Sequence, residues 1–368
     1  MFSMHRRPRR LFRELFSPPV ALVISIALAG IVFGALMFFR VPFDRTIGIA
    51  GVLLGLVTFA AAQIQQTRPA NRDIVFLARS RNQFAYSVLR GLKDQLGDRQ
   101  ELKIIQKLPE VDIQDPLGWQ LKMLSRRDVA GSAALVIIPA ANDATLWSEL
   151  ALLSRSGIFI VTVDEKPPKR SFANSGTLRP FFVGSDFGAG GKLLADYLIP
   201  LLNEHLDDKV VIALGPVSSW PGMERSAKLL FHLCAAGFTS RTTCLEISSF
   251  TDNVEGPKIL AALKETYSRC SGSVHVFCAN DKILKWIQKR LDTETALELS
   301  RICLIGYDGS TDDRDEYMIA EARCAKATID ALPFEQGRNC GIVLLNEYDG
   351  ALNLNSLNML IKPNLREF

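Results

Sequence analysis

From Asp73 onward the sequence alternates short, wholly apolar runs with longer amphipathic stretches, and few architectures accept that pattern. Residues 73–78, 102–106, 133–138 and 158–163 read as strands, most of them apolar at every position. A strand with one wet face alternates apolar and polar residues instead. Between these runs, residues 84–96 place Phe84, Val88, Leu89, Leu92 and Leu96 on one helical face. Residues 116–129 and 144–154 read as further helices. Strands joined through helices run parallel, and a parallel sheet must be covered on both faces. After a helix ending near His205 the pattern restarts at Lys209. It continues with strands at 209–215, 243–247, 274–278 and 302–306, and helices at 219–236, 254–267 and 282–291. The expectation is an α/β chain of two similar doubly wound lobes, with a last helix at 334–347.

The first seventy residues differ in kind. Residues 20–39 and 46–64 are apolar and carry no charge, and each run is long enough to span a bilayer. The six-residue link at 40–45 forces the two spans antiparallel, so the sequence predicts a transmembrane helical hairpin over 20–64. A basic segment, 1–19, precedes it, and a polar linker, 65–72, follows. Arg6, Arg7, Arg9, Arg10 and Arg13 lie before the first span; Arg68, Arg72, Arg79 and Arg81 lie after the second. The positive-inside rule places both ends in the cytoplasm. The expected location is the inner (plasma) membrane, multi-pass, with a cytoplasmic soluble domain. A single-span reading puts that domain in the periplasm instead. Ala60-Ala61-Ala62 resembles a signal-peptidase site, but a complete span precedes it. Gly30-x-x-x-Gly34 and Gly51-x-x-x-Gly55 allow close helix approach, within the hairpin or between two copies, although glycine is frequent in membrane helices anyway.

The stretch Phe181-Phe182-Val183-Gly184-Ser185-Asp186-Phe187-Gly188-Ala189-Gly190-Gly191 reads as a strand, a glycine-rich turn and a helix beginning at Lys192. Ser185 or Asp186 can cap that helix. Upstream lies Ile160-Val161-Thr162-Val163-Asp164; downstream lie Cys278-Ala279-Asn280-Asp281, Gly306-Tyr307-Asp308-Gly309 and Ala327-Thr328-Ile329. In this order and spacing the set resembles the type I periplasmic-binding-protein superfamily, which includes ribose-type sugar binders and LacI-like sensor domains. The resemblance implies a periplasmic-binding-protein-like ligand-binding domain over 73–368, two lobes joined by a three-crossover hinge. Lobe 1 takes about 73–185 and 331–355, and lobe 2 about 186–330 and 356–368. The crossings are expected near 185–187, near Asp308 or shortly after it, and near 330–333.

In open α/β sheets ligands sit beyond the carboxyl ends of the strands, so polar residues there are the candidates. They are Asn82 and Phe84 after the first strand, Asp164 and Glu165, Ser185, Asn280, and Asp308. Trp220, at the start of a helix after Leu214, is a further candidate for the cleft wall. Carboxylates and amides suit hydroxyl-rich ligands, and Phe84 offers a flat face to a sugar ring. Each also has a simpler reading as a helix cap, turn or packing residue. The pattern departs from ribose-type binders at four places: Glu165 stands where they have arginine, Met223 precedes Glu224-Arg225, Ile138 precedes Pro139, and Ala331 replaces a glutamine. These departures imply a ligand other than a pentose, more apolar or cationic, or a cleft kept only as a scaffold.

A net charge of +4 is too small to suggest a nucleic-acid binder, and two apolar runs occupy the place where a repressor carries its helix-turn-helix. Seven scattered cysteines form no CxxC pair and fit a reducing compartment better than a disulfide framework. Four histidines show no ligand spacing, and no catalytic or phosphate-loop motif occurs. The acidic run at 312–316 reads as a solvated loop. The sequence thus predicts a non-enzyme without cofactor or metal: a membrane-anchored sensor that closes on a small molecule. Its partners are that ligand, the lipid bilayer, and a membrane protein or a second copy, not nucleic acid. The alternatives are the substrate-binding component of an ABC-type importer on the outer face, and a ligand-gated membrane effector or enzyme.

Overall fold

The structure is a computed structural model that describes residues 73–368, apart from 98, 100, 111–112, 169–171, 173–178, 295–296, 310–322 and 353–357. The expected hairpin at 20–64, the segments at 1–19 and 65–72, and the acidic run at 312–316 lie outside the described residues. Among those described, no helix is long and apolar enough to cross a membrane.

The apolar runs, together with more polar strands at the sheet edges, form two six-stranded sheets. The first contains β1 (Asp73–Leu77), β2 (Lys103–Lys107), β3 (Ala134–Ile137), β4 (Phe159–Val163), β5 (Phe181–Ser185) and β11 (Asn358–Ile361), in the order β11-β5-β4-β3-β1-β2. The second contains β6 (Lys209–Leu214), β7 (Thr242–Glu246), β8 (Val274–Phe277), β9 (Ile302–Tyr307), β10 (Ala325–Asp330) and β12 (Asn364–Glu367), in the order β12-β10-β9-β8-β6-β7. All strand pairs are parallel except β10 with β12. Apolar side chains fill both faces of each sheet. In the first lobe Phe76, Val136 and Val161 pack on one side, and Val75, Leu135 and Ile160 on the other.

Helices cover these faces: α1 (Gln83–Leu96), α2 (Pro116–Leu124), α3 (Arg127–Ala130), α4 (Ala144–Arg155) and α9 (Pro333–Tyr348) on the first lobe, and α5 (Phe187–Glu204), α6 (Trp220–Ala235), α7 (Asp252–Ser268) and α8 (Asp281–Leu291) on the second. The single helix expected at 116–129 is two. Leu124 and Val129 are both buried, and five residues along one helix turn them about 140° apart. The break at Ser125-Arg126 lets both face the core.

The chain crosses between lobes at β5–α5, at β10–α9 and at β11–β12. No crossing occurs near Asp308, because β9 and β10 on either side of it are neighbours in the same sheet. Residues 358–361, expected in lobe 2, extend the first sheet beside β5.

The glycine-rich turn expected before Lys192 is the first turn of α5, which begins at Phe187 and is capped by Asp186 accepting from the Ala189 N–H at 2.9 Å. Its glycines serve close packing. A Cβ on Gly190 meets the Tyr307 hydroxyl at 2.3 Å, and one on Gly191 meets the Arg225 carbonyl at 2.4 Å.

Helices α1 and α9 pack backbone to backbone. A Cβ on Gly337 falls 1.9 Å from the Val88 carbonyl oxygen, and one on Gly91 falls 2.0 Å from that of Phe334. Backbone atoms cannot swing aside as a side-chain end can. Gly337→Ala is therefore expected to destabilise the domain by about 2–3 kcal/mol, through forced overpacking. Thermal unfolding of the variant checks this, and an unchanged midpoint contradicts the close approach.

A cleft between the lobes as the candidate functional site

The strand order around β1 and β3, and around β6 and β8, reverses direction in each sheet, the place where open α/β sheets hold ligands. The carboxyl ends of both sheets open onto one cleft of about 1630 Å³. Four described non-glycine residues have positive φ: Asp164 (69°), Ala279 (63°), Asp308 (116°) and Leu332 (53°). They stand one or two residues after the ends of β4, β8, β9 and β10. The left-handed backbone is costly for such residues. Here it turns the chain sharply off each strand and leaves Asp164, Asn280 and Asp308 at the cleft.

Each lobe contributes an arginine–carboxylate pair. In the first, Arg79 Nη2 donates to Asp164 Oδ2 at 2.9 Å, while Arg79 Nη1 donates to the Pro139 carbonyl at 3.3 Å. In the second, Arg225 Nη1 lies 3.5 Å from Asp308 Oδ1. The Arg225 side chain is 6% exposed, and its guanidinium stands 4.3 Å from the Tyr307 ring centroid, 5.0 Å from Phe250 and 5.8 Å from Phe187. Stacking of this kind holds a planar cation in one orientation. Its Nε is buried without a hydrogen-bond partner. Burial pushes the Asp308 carboxyl up; Asp281 and Asp164 add to the rise, and Arg225 and Arg79 oppose it. Arg79 and Asp164 thus act on Asp308 from the opposite lobe. Asp308 still keeps 38% of its side-chain surface open to the cleft, so solvent limits that rise.

The other sequence candidates are distributed differently. Asn82 and Phe84 line the cleft wall, and Asn82 Oδ1 accepts from the Ala85 N–H at 3.0 Å as the cap of α1. Asn280 reaches the cleft, but its amide is engaged: Oδ1 accepts from Ile283 N–H at 2.8 Å, and Nδ2 donates to the Phe250 carbonyl at 3.2 Å. Ser185 is fully buried at the first crossover and is not part of the cleft lining. Trp220 is also absent from the lining; its ring packs edge-on against Phe182 and Phe187, with the Lys166 ammonium 5.2 Å above it. Both are placed by the hinge rather than by the cavity.

Glu165 joins the two lobes. Its side chain leaves the end of β4, and Oε1 accepts from the Ser219 hydroxyl at 2.8 Å while Oε2 accepts from the Trp220 N–H at 3.2 Å. Ser219 and Trp220 form the start of α6 in the other lobe. The Asn142 N–H adds a second link to the Ser218 carbonyl at 3.3 Å. Glu165 is 1% exposed, and burial pushes its carboxyl up to about 7. Asp164 adds to the rise; Arg79, the Ser219 hydroxyl and the Trp220 N–H oppose it. Sequence reasoning missed Arg79, Arg225 and Phe250 as cleft residues, and Asp330 with its partner Arg366. An arginine directly after a strand end was a signal for Arg79; no local signal marks the others.

No metal-binding group of three or more His, Cys, Asp or Glu occurs among the described residues, and the seven cysteines are free thiols.

The raised Glu165 carboxyl carries a stability consequence with a definite sign. Its contribution is fully present below its unfolded value near 4.5 and is lost as pH rises through about 7, on the order of 3 kcal/mol. Glu165→Gln keeps a neutral acceptor and donor in place. The variant is expected to melt higher than wild type at pH 8, with the gap closing toward pH 5. Melting curves across that range test it; parallel curves at every pH contradict it.

No family model and no curated protein matches the sequence. Solved structures do resemble the fold. An ABC transporter solute-binding protein from Burkholderia multivorans superposes with a TM-score of 0.64 at 19% identity, covering 80% of this chain and 99% of its own. The Caulobacter myo-inositol binding protein, bound to myo-inositol, gives 0.61 at 18%, covering 80% and 93%. A periplasmic ribose ABC transporter protein from Conexibacter woesei DSM 14684 gives 0.62 at 16%, covering 81% and 92%. The likeness shows the two-lobed α/β fold of periplasmic binding proteins, built on parallel sheets.

Proposed function

We propose that the chain is a non-enzymatic binding protein whose two lobes close on a small, hydroxyl-rich molecule. The N-terminal hairpin holds it at the inner membrane with the cleft on the cytoplasmic side. One observation carries the binding reading: two arginine–carboxylate pairs, Arg79–Asp164 and Arg225–Asp308, reach one cleft from opposite lobes. Each pair presents both donors and acceptors, which suits hydroxyl groups, and Phe84, Phe250 and Phe334 add flat apolar surface. A ligand touching both pairs favours the closed lobes over the open ones by its difference in affinity for the two.

A second reading is favoured by the company of the fold. Two of the similar structures are proteins of ABC transport systems, so an importer's binding component, tethered on the outer face, remains the competing assignment. Reporter fusions at the C-terminus separate the two: activity of a cytoplasmic reporter supports the sensor, and activity of an exported reporter supports the importer.

Binding itself is tested by calorimetry of the full-length chain against a panel of sugars, inositols and nucleosides, with lobe closure followed by small-angle scattering. At least one compound is expected to bind and to reduce the radius of gyration. Asp164→Asn and Asp308→Asn are each expected to weaken that compound about tenfold or more, the worth of a charge-assisted hydrogen bond. Silence across the panel, or unchanged affinity in both variants, counts against the reading.

A further inference from the structure

We infer, resting on the binding reading above, that the cleft takes a polyol bearing an anionic group. The hydroxyls sit on the floor of arginine–carboxylate pairs, and the anion, a phosphate ester or a carboxylate, sits against a lysine-lined wall. The charge on the cleft is sorted by position. At the strand ends lie Asp164, Asp308 and Asp330, each paired with an arginine that also lines the cleft: Arg79, Arg225 and Arg366 respectively. Arg225 is 5% exposed, and its Nε is buried without a hydrogen-bond partner.

The wall is basic. Lys282, Lys285 and Lys289 all line the cleft from α8, with Trp286 between them. Their spacing, i, i+3 and i+7, puts them on one helical face along about 10 Å. From the other lobe Arg81 and Arg90 also line the cleft, and the Arg90 guanidinium lies 5.2 Å from the Phe334 ring centroid. Glu110, Asp252 and Glu335 are the carboxylates beside them, and Glu335 lies 3.6 Å from Arg338. Cations therefore outnumber carboxylates on the walls, whereas on the floor each aspartate is matched by an arginine. Closing two basic walls on a neutral sugar brings like charges together; an anion between them reverses the sign of that interaction. The cleft, at about 1630 Å³, also exceeds the volume that small-ligand sites commonly enclose, leaving room beyond one sugar ring.

The test uses the full-length chain and matched pairs: D-ribose with ribose 5-phosphate, D-glucose with glucose 6-phosphate, and myo-inositol with inositol monophosphate, plus inorganic phosphate alone. At least one ester is expected to bind tenfold or more tighter than its neutral parent and than inorganic phosphate. In the triple variant Lys282→Gln, Lys285→Gln, Lys289→Gln the ratio is expected to fall toward one while the parent's affinity holds. Circular dichroism confirms that the variant is folded. A neutral parent that binds as well as its ester, a ratio that survives the triple variant, or inorganic phosphate that matches the esters overturns the anion assignment and leaves the binding reading standing. If no sugar, inositol or ester binds, the binding reading itself fails.

Discussion

A parallel sheet gathers the carboxyl ends of all its strands along one edge, and in this chain two such edges share a single cleft. Everything at the site follows from that constraint. The largely apolar β4, β8 and β9 fill their lobes' cores, and the polar groups that can meet a ligand lie where each strand runs out. Asp164, Asn280 and Asp308 occupy those positions. The strained backbone at Asp164, Ala279 and Asp308 is sustained by the sheets beneath it, whose packing fixes where the chain must turn.

The electrostatics of the cleft is a balance between burial and pairing. Arg225 is held from one side by aromatic rings and from the other by a carboxylate, an arrangement that orients the guanidinium while leaving one of its hydrogens unused. Glu165 shows the opposite balance. Its partners are a hydroxyl and a backbone N–H, and burial outweighs them, pushing the carboxyl up to about 7. A group that bridges two lobes and changes charge near neutral pH ties the fit between them to the acidity of the surrounding water.

Much of the architecture was legible in the sequence because core packing is written locally. Unbroken apolar runs marked the strands, and the 3.6-residue period marked α1 and its neighbours. Asp164, Asn280 and Asp308 could be located because each directly follows such a run. What the sequence did not disclose is what each side chain meets. Arg79 finds Asp164 across 85 positions, and Arg225 finds Asp308 across 83. Ser185 and Trp220 carried the right chemistry at plausible places, yet packing turned them into the hinge. The glycines after Asp186 read as a turn because glycine permits turns, but Gly190 and Gly191 answer to the bulk of Tyr307 and the backbone of Arg225, which only the folded chain brings near.

The last strands, β11 and β12, sit on different sheets only a few residues apart. During synthesis the amino-terminal parts emerge first, so β5 and β10 wait with bare edges until residues 358–367 appear. Exposed strand edges invite pairing with other chains. Both lobes therefore reach their finished, self-contained form together, at the moment a ten-residue tail zips one border and then the other.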